Sequence, residues 1–283
     1  MSKIKIIVDS TADLSKELYE KYDMAVIPLN VSFGEKTFKD GIDITRDQLY
    51  EDVKKFKSLP ATSAPGPQVF EEEFKKWLDQ GYEVIYTGIG STLSTAFQSA
   101  NIAKNSIGSD KVHLVDSKTL SSAAGLLAMK AGKLAKEGKE ADEICKILEK
   151  DVPNVVAQFS VETLDYLHKG GRCSGAAKLI GHIFHVHPHL MVKEGKLIVY
   201  KKPRGTMKMA IDGQIEELKK ALPNVQMDNI MITDSGATDE IRNYFVKEVS
   251  KLVSPKIIRT TPAGCVISSH CGFGTIGLLF IKD

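Results

Sequence analysis

The sequence has no long apolar run and no excess of charge of either sign. Within its 283 residues, no stretch reaches the ~18 apolar residues that a membrane-spanning helix requires. The N-terminal segment is also too polar for a secretory signal, so we expect a cytoplasmic protein without stable membrane insertion. Lys and Arg number 38 against 36 Asp and Glu and are spread along the chain, which argues against a nucleic-acid partner.

Cysteine is scarce and widely spaced. Cys145, Cys173, Cys265 and Cys271 form no C-x-x-C pair, which argues against a thiolate zinc site. Because nothing points to a secreted protein, we expect the four thiols to stay reduced.

Short apolar segments alternate with helical periodicity, which predicts an α/β fold in two domains. Residues 1–150 are expected to form a Rossmann-like domain with a mostly parallel sheet and helices. Its predicted strands lie at residues 5–8, 24–33, 84–86 and 112–115. Ligands of such sheets bind beyond the carboxyl ends of the strands, so the loops there are the first candidate sites.

A second domain is expected over residues 151–283, because Pro153 interrupts a long helical pattern. The segments 190–192 and 197–200 flank a Lys-Glu-Gly-Lys turn, which is typical of a hairpin. This hairpin and the later alternation of strands with helices predict a mixed-sheet α/β domain.

Three helix starts are indicated in the first domain. Ser10 or Asp13 is the expected N-cap of the first helix, Thr45 opens a capping box with Gln48, and Pro67 fits the first turn of another helix.

The loop at residues 88–99 reads GIGSTLSTAFQS and follows a short apolar strand. It lacks the third glycine of a dinucleotide fingerprint, since Leu93 stands there, and it lacks the lysine of a P-loop. Its hydroxyl side chains, Ser91, Thr92, Ser94 and Thr95, either cap the following helix or contact an anionic ligand at its positive end.

Two further polar segments are candidate sites. Thr62 and Ser63 lie between prolines in a loop that serves either as a rigid turn or as a ligand contact. His270 is expected in a glycine-rich loop between apolar strands, where it is either structural or close to a ligand. No G-x-S-x-G nucleophile elbow accompanies it, and no catalytic residue is assigned.

Four histidines, His182, His185, His187 and His189, fall within eight residues. A metal sensor is one interpretation, but metal sites usually take ligands from separated segments, so we expect no metal.

Six segments in order resemble one family, the DegV proteins, which are bacterial fatty acid-binding proteins that include the FakB subunits of fatty acid kinase. The matching segments are DSTAD at 9–13, PATSAP at 60–65, STLSTAFQSA at 91–100, DS at 116–117, TLDYLHKGGR at 163–172 and HCGFGTIGL at 270–278. The resemblance spans the whole chain.

The resemblance implies two α/β domains with a long-chain fatty acid, such as palmitate, stearate or oleate, between them. The acyl tail would lie in the first domain, and Thr62, Ser94 and His270 would hold the carboxylate. The chain would need no cofactor and would not be an enzyme; it would present the bound acid to a separate kinase, which forms the acyl phosphate with ATP.

This sequence departs from the family pattern at Gly90, Thr95 and Ala96, which replace Ser, Gly and Thr. Ser63 and Ser91 are secondary candidates. Arg172 and Arg204 match basic family positions, where they would meet the kinase or acyl phosphate, or simply lie on the solvated surface.

A competing hypothesis is an enzyme acting on a small carboxylate or phosphate, with His270 as general acid or base. A carrier needs a long apolar cavity behind Ser94, whereas such an enzyme needs a short polar cleft.

Overall fold

The protein, described from a computed structural model over residues 3–173 and 186–283, has three sheets flanked by helices. Its strands are β1 Lys3–Asp9, β2 Met24–Ile27, β3 Asn30–Phe33, β4 Lys36–Lys39, β5 Ala61–Ser63, β6 Tyr82–Tyr86, β7 Val112–Leu114, β8 Val155–Ser160, β9 His189–Lys193, β10 Lys196–Lys201, β11 Ile230–Ser235, β12 Ile258–Pro262 and β13 Thr275–Ile281. Its helices are α1 Lys16–Lys21, α2 Arg46–Phe56, α3 Pro67–Leu78, α4 Ala96–Ile107, α5 Ser122–Lys136, α6 Ala141–Asp151, α7 Asp165–Lys169, α8 Met207–Ala221, α9 Asp239–Ser250 and α10 Cys265–Cys271. None of these helices has the length and apolar character needed to span a bilayer.

The first sheet is parallel and has the order β2-β1-β6-β7. Helices cover both of its faces, so its central strand β1 is an almost continuous apolar run, with Ile6, Ile7 and Val8 buried. The predicted α/β class with a Rossmann-like parallel sheet is confirmed. The carboxyl ends of β1 and β6 direct Asp9 and the loop after Tyr86 to the same edge of the sheet.

The prediction of a single strand over residues 24–33 is wrong. The chain leaves the parallel sheet after Ile27, and Pro28, which has no N–H to donate to a ladder, separates β2 from β3. Strand β3 instead joins a three-stranded antiparallel sheet of order β4-β3-β5. In that sheet Thr62 pairs with Val31, which fixes the position of the first candidate site residue.

The later part of the chain forms the predicted mixed sheet, with the order β10-β9-β8-β13-β11-β12. Strands β11 and β12 are parallel and the other pairs are antiparallel. The expected hairpin is confirmed as β9 and β10, which pair around a turn at residues 194 and 195.

Helix α5 lies between the parallel sheet and the mixed sheet. It packs on β1 from one side and on β13, β11 and β8 from the other. Leu127 therefore belongs to one apolar cluster that also contains Ile6 and Leu279. A boundary near residue 151 stays a prediction, because this core joins the two proposed domains.

The first helix begins later than predicted. Ser15 is the N-cap of α1 and accepts a hydrogen bond from the Leu18 N–H, while Ser10 begins a short 3-10 turn. Asp13 does not cap α1, because its carboxylate is bonded elsewhere, as described below. The cap at Thr45 and the first-turn proline at Pro67 are confirmed.

Candidate functional site

A cavity of about 220 Å³ lies between the parallel sheet and the mixed sheet. Both halves of the chain contribute to its wall. Most of its lining is aliphatic, namely Leu29, Ala64, Ile89, Leu93, Leu120, Leu167, Leu197, Val266 and Ile267, together with Cys271. The polar lining is confined to Thr62, Ser63, Ser94, Thr95, Arg172 and His270. The cavity therefore has a mainly apolar lining with a small cluster of polar side chains.

Thr62 and His270 meet directly at this cavity. The Thr62 Oγ1 and the His270 Nε2 lie 2.7 Å apart and form a hydrogen bond. Their positions along the chain differ by 208 residues, so neither side chain predicts the other from local sequence.

His270 does not lie in the predicted glycine-rich loop. It is the penultimate residue of α10, and Gly272, with a φ of 81°, ends that helix in the left-handed region. The prediction that His270 lies in a loop is wrong, because the glycines follow the histidine rather than surround it.

Two carboxylates from the first half of the chain hold the N-terminus of α10. Asp13 Oδ1 accepts from the Gly264 N–H at 2.7 Å, and Asp40 Oδ1 accepts from the Cys265 N–H at 2.7 Å. Asp40 Oδ2 also accepts from the Val266 N–H at 3.3 Å. Burial raises the pKa of both carboxyl groups. These bonds satisfy N–H groups that a helix cannot pair internally, and they fix the helix that contains His270.

His270 is neutral at pH 7. Burial of the imidazole, followed by the positive charge of Arg172, lowers its pKa to about 4. Its Nδ1 is buried and has no hydrogen-bond partner among the described residues. Arg172 donates to the carbonyls of Gly170 at 2.7 Å and Leu93 at 3.4 Å, so it ties the two walls of the cavity together.

The glycines of the loop at 88–99 serve close packing. A Cβ on Gly88 would lie 2.0 Å from an oxygen of Asp9, and one on Gly90 would lie 2.8 Å from the Lys118 backbone. The Ser117 hydroxyl donates to the Gly88 carbonyl. These contacts give a physical reason for two glycines in a loop that has no nucleotide fingerprint.

The hydroxyls of this loop have different partners. Ser91 bonds the Asp116 carboxylate at 2.6 Å and Thr92 donates to the Gly195 carbonyl, so the expectation that they cap α4 is wrong. Thr95 occupies the N-cap position of α4, but its side chain makes no capping bond. The Ser94 Oγ accepts from the Ala96 N–H at 3.2 Å, and Ser94 is the serine of this loop that lines the cavity.

The secondary candidates divide into two groups. Ser63 and Arg172 line the cavity, whereas Ser91 and Arg204 are exposed and lie outside its lining. The assignment of any of these side chains to a ligand stays a prediction.

The histidine cluster falls partly outside the described residues, which do not include His182 and His185. His189 is buried, its Nε2 lies 3.0 Å from the Gln158 Oε1, and burial lowers its pKa to about 4. The His187 Nδ1 lies 3.1 Å from a Glu162 oxygen. Over residues 3–173 and 186–283, no group of three or more His, Cys, Asp or Glu side chains is placed to hold a metal ion.

Cys271 is the cysteine of the cavity wall. Burial raises the pKa of its thiol to about 12, so it is a poor nucleophile at neutral pH. Among the described residues that line the cavity there is no carboxylate to orient His270 as a catalytic base.

The chain matches known proteins over its full length. A family model described as an uncharacterised protein of the DegV family matches residues 3–283. A DegV domain-containing protein of Clostridium perfringens is 32% identical, and the match covers 100% of both chains.

Solved structures agree with this assignment. DegV of Bacillus subtilis, described as a fatty acid binding protein, superposes with a TM-score of 0.87 at 30% identity over 100% of both chains. A DegV family protein of Thermus thermophilus, described by its fatty acid binding, gives a TM-score of 0.91 at 27% identity over 99% of this chain and 100% of that one. A stearic acid-binding protein of Eubacterium ventriosum gives 0.85 at 27% identity, over 100% of this chain and 98% of that one. With the family model, the relatives and the fold in agreement, the chain belongs to the DegV family.

Proposed function

We propose that this protein binds a long-chain fatty acid noncovalently. The observation that supports this most directly is that one cavity is lined mostly by aliphatic side chains and also by the hydrogen-bonded pair Thr62 and His270 and by Ser94. The acyl tail occupies the aliphatic part, and the carboxylate meets the polar group. Family members of similar structure are described as binding fatty acids, one of them stearic acid, which supports the same ligand class here.

The tail supplies most of the affinity. Burying about fourteen methylenes at ~0.8 kcal/mol each contributes roughly 11 kcal/mol before the costs of ordering the ligand. Leu29, Leu167 and Leu197 are examples of the apolar side chains that the tail would contact. The cavity lining comes from both halves of the chain, so the tail would contact residues of the second half as well as the first.

The polar group supplies orientation. Because the Ser94 Oγ already accepts from the Ala96 N–H, its own O–H is available to donate to a carboxylate oxygen. Ser94 and Thr95 lie at the N-terminus of α4, where the helix dipole favours a negative charge. Neutral His270 and Thr62 complete a site that recognises a carboxylate by hydrogen bonds.

We also propose that the bound acid is presented to a separate ATP-dependent kinase. The loop at 88–99 uses its glycines for packing and has no P-loop lysine, which supports a phosphoryl donor held by another protein. Arg172 is exposed at the cavity wall, where a partner would approach the carboxylate. The alternative of an enzyme on a small polar substrate fits a mostly aliphatic cavity poorly.

The direct test is to extract the purified protein with organic solvent and to identify the lipid by mass spectrometry. We expect about one long-chain fatty acid per protein, and stabilisation of delipidated protein by palmitate or oleate. Absence of both results would refute fatty acid binding. The kinase step is tested separately, by asking whether acyl phosphate forms only when a fatty acid kinase and ATP are added.

A further inference from the structure

Two adjacent glycines follow α7, and they are there for different reasons. Gly171 has a φ of +68°, a left-handed conformation, and a Cβ placed on it would meet nothing within 4 Å. Gly170 has a φ of −70° and a ψ of −14°, which any residue adopts in an α-helix. The backbone therefore favours a glycine at 171 but not at 170.

The imidazole of His270 is the reason for Gly170. A Cβ on Gly170 would lie 2.2 Å from the His270 Nδ1 and 2.9 Å from its Cε1, far closer than atoms can approach. In glycine the same direction is occupied by a hydrogen atom, so a Gly170 Cα–H points at the Nδ1. The ring is thus packed edge-on against the backbone of the second half of the chain.

This contact selects one tautomer of the neutral imidazole. A proton on Nδ1 would point head-on at the Gly170 hydrogen and would find no acceptor among the residues that the structure describes, where Nδ1 is buried without a partner. A bare Nδ1 lone pair instead accepts the weak Cα–H contact. The proton therefore resides on Nε2, which donates to the Thr62 Oγ1 at 2.7 Å.

The tautomer decides what Thr62 offers the cavity. Because its oxygen accepts from Nε2, its own O–H must donate elsewhere, and the cavity is the space that Thr62 lines. A carboxylate, which only accepts hydrogen bonds, fits this arrangement, whereas an ammonium head group, which only donates, does not.

We propose that Gly170 is a positioning residue that fixes the His270 tautomer and thereby makes the Thr62 hydroxyl a hydrogen-bond donor into the cavity. This inference rests on the proposed fatty acid binding for its consequence, but the tautomer itself is a property of the protein without ligand.

The test combines ¹⁵N NMR of histidine-labelled protein with fatty acid titration. The His270 signals are assigned by their loss in His270→Gln, and the spectrum of delipidated wild type should show a protonated Nε2 and a bare Nδ1. Gly170→Ala should alter these signals and weaken binding by at least about tenfold, the loss of one hydrogen bond to a charged group. Gly171→Asn, which tolerates a positive φ, is the matched control and should retain both the tautomer and the affinity.

Each outcome decides the matter. A protonated Nδ1 in wild type overturns the proposal without any variant, so it remains testable if Gly170→Ala fails to fold. Unchanged affinity and unchanged His270 signals in a folded Gly170→Ala overturn it as well. If wild type shows the expected tautomer but binds no fatty acid, the proposed function fails while the assignment of the tautomer stands.

Discussion

Replacing Asp40 with alanine tests whether a carboxylate from the first half of the chain holds α10 in place. The carboxylate accepts three hydrogen bonds, from the Cys265 N–H at 2.7 Å, the Val266 N–H at 3.3 Å and the Ser10 hydroxyl at 2.9 Å. Alanine would leave two buried N–H groups without an acceptor.

The expected change in the free energy of unfolding is the cost of the lost hydrogen bonds minus the desolvation cost that is recovered. Each orphaned buried donor costs about 1–3 kcal/mol, so the two N–H groups together cost about 2–6 kcal/mol. Burial raises the pKa of Asp40, so removing the carboxylate recovers part of its desolvation cost. We expect a net loss of about 2–4 kcal/mol in the free energy of unfolding.

Urea titration followed by circular dichroism measures this loss, and isothermal titration with palmitate measures the effect on the site. A lower midpoint with an unchanged slope indicates lost stability rather than a changed denatured state. Because α10 contains His270, fatty acid affinity should fall with stability. Asp47→Ala is the control: its side chain is 88% exposed and should change stability by less than about 0.5 kcal/mol. If Asp40→Ala matches Asp47→Ala in both assays, the carboxylate does not hold the helix.

Two other predictions address the site and its pH dependence. Ser94→Ala and Thr62→Ala should each weaken palmitate binding in isothermal titration by about 1–3 kcal/mol. Ser91→Ala, which lies outside the cavity, should bind palmitate like wild type. Equal effects of all three substitutions would refute the assignment of Ser94 and Thr62 to the carboxylate site. The contribution of the buried histidines to stability should fall as the pH is lowered from about 6.5 towards 4, because unfolded histidines bind a proton near 6.5 whereas His189 and His270 do so at about 4 in the folded protein. Asp13 and Asp40, whose pKa burial raises, act in the opposite direction, so the histidine contribution is read from the difference between wild type and a histidine variant. For buried His189 the contribution to the free energy of unfolding is about 3 kcal/mol and is present in full above pH 6.5. Urea titrations of wild type and His189→Gln at pH 7.5 and 4.5 measure this contribution. If the pH dependence of stability is the same in His189→Gln as in wild type, the prediction is wrong.

Local patterns in the sequence were enough to predict the α/β class, the hairpin and the helix starts at Thr45 and Pro67, because each depends on residues a few positions apart. The strand at 24–33 was mispredicted because apolar character continues across Pro28 while the chain changes sheets. Periodicity does not say which sheet a strand joins.

Helix α10 shows why part of the site escaped prediction. It has seven residues, and Val266 and Ile267 within it favour strands when judged locally. Its N–H groups are satisfied by Asp13 and Asp40, which lie 251 and 225 residues away. Thr62, Ser94 and His270 were identified by resemblance to the family, and the cavity brings them together, but no local signal identified Asp40 or the role of Gly170.

The position of α5 has a consequence for how a ligand could enter. Because α5 packs against both sheets, the sheets cannot separate without exposing Leu127 and its apolar neighbours to water. We therefore expect a bound fatty acid to enter and leave through small movements at the rim of the cavity rather than through a hinge between the two halves. By the same reasoning the chain should unfold in one transition, and neither half should persist alone after cleavage near residue 151.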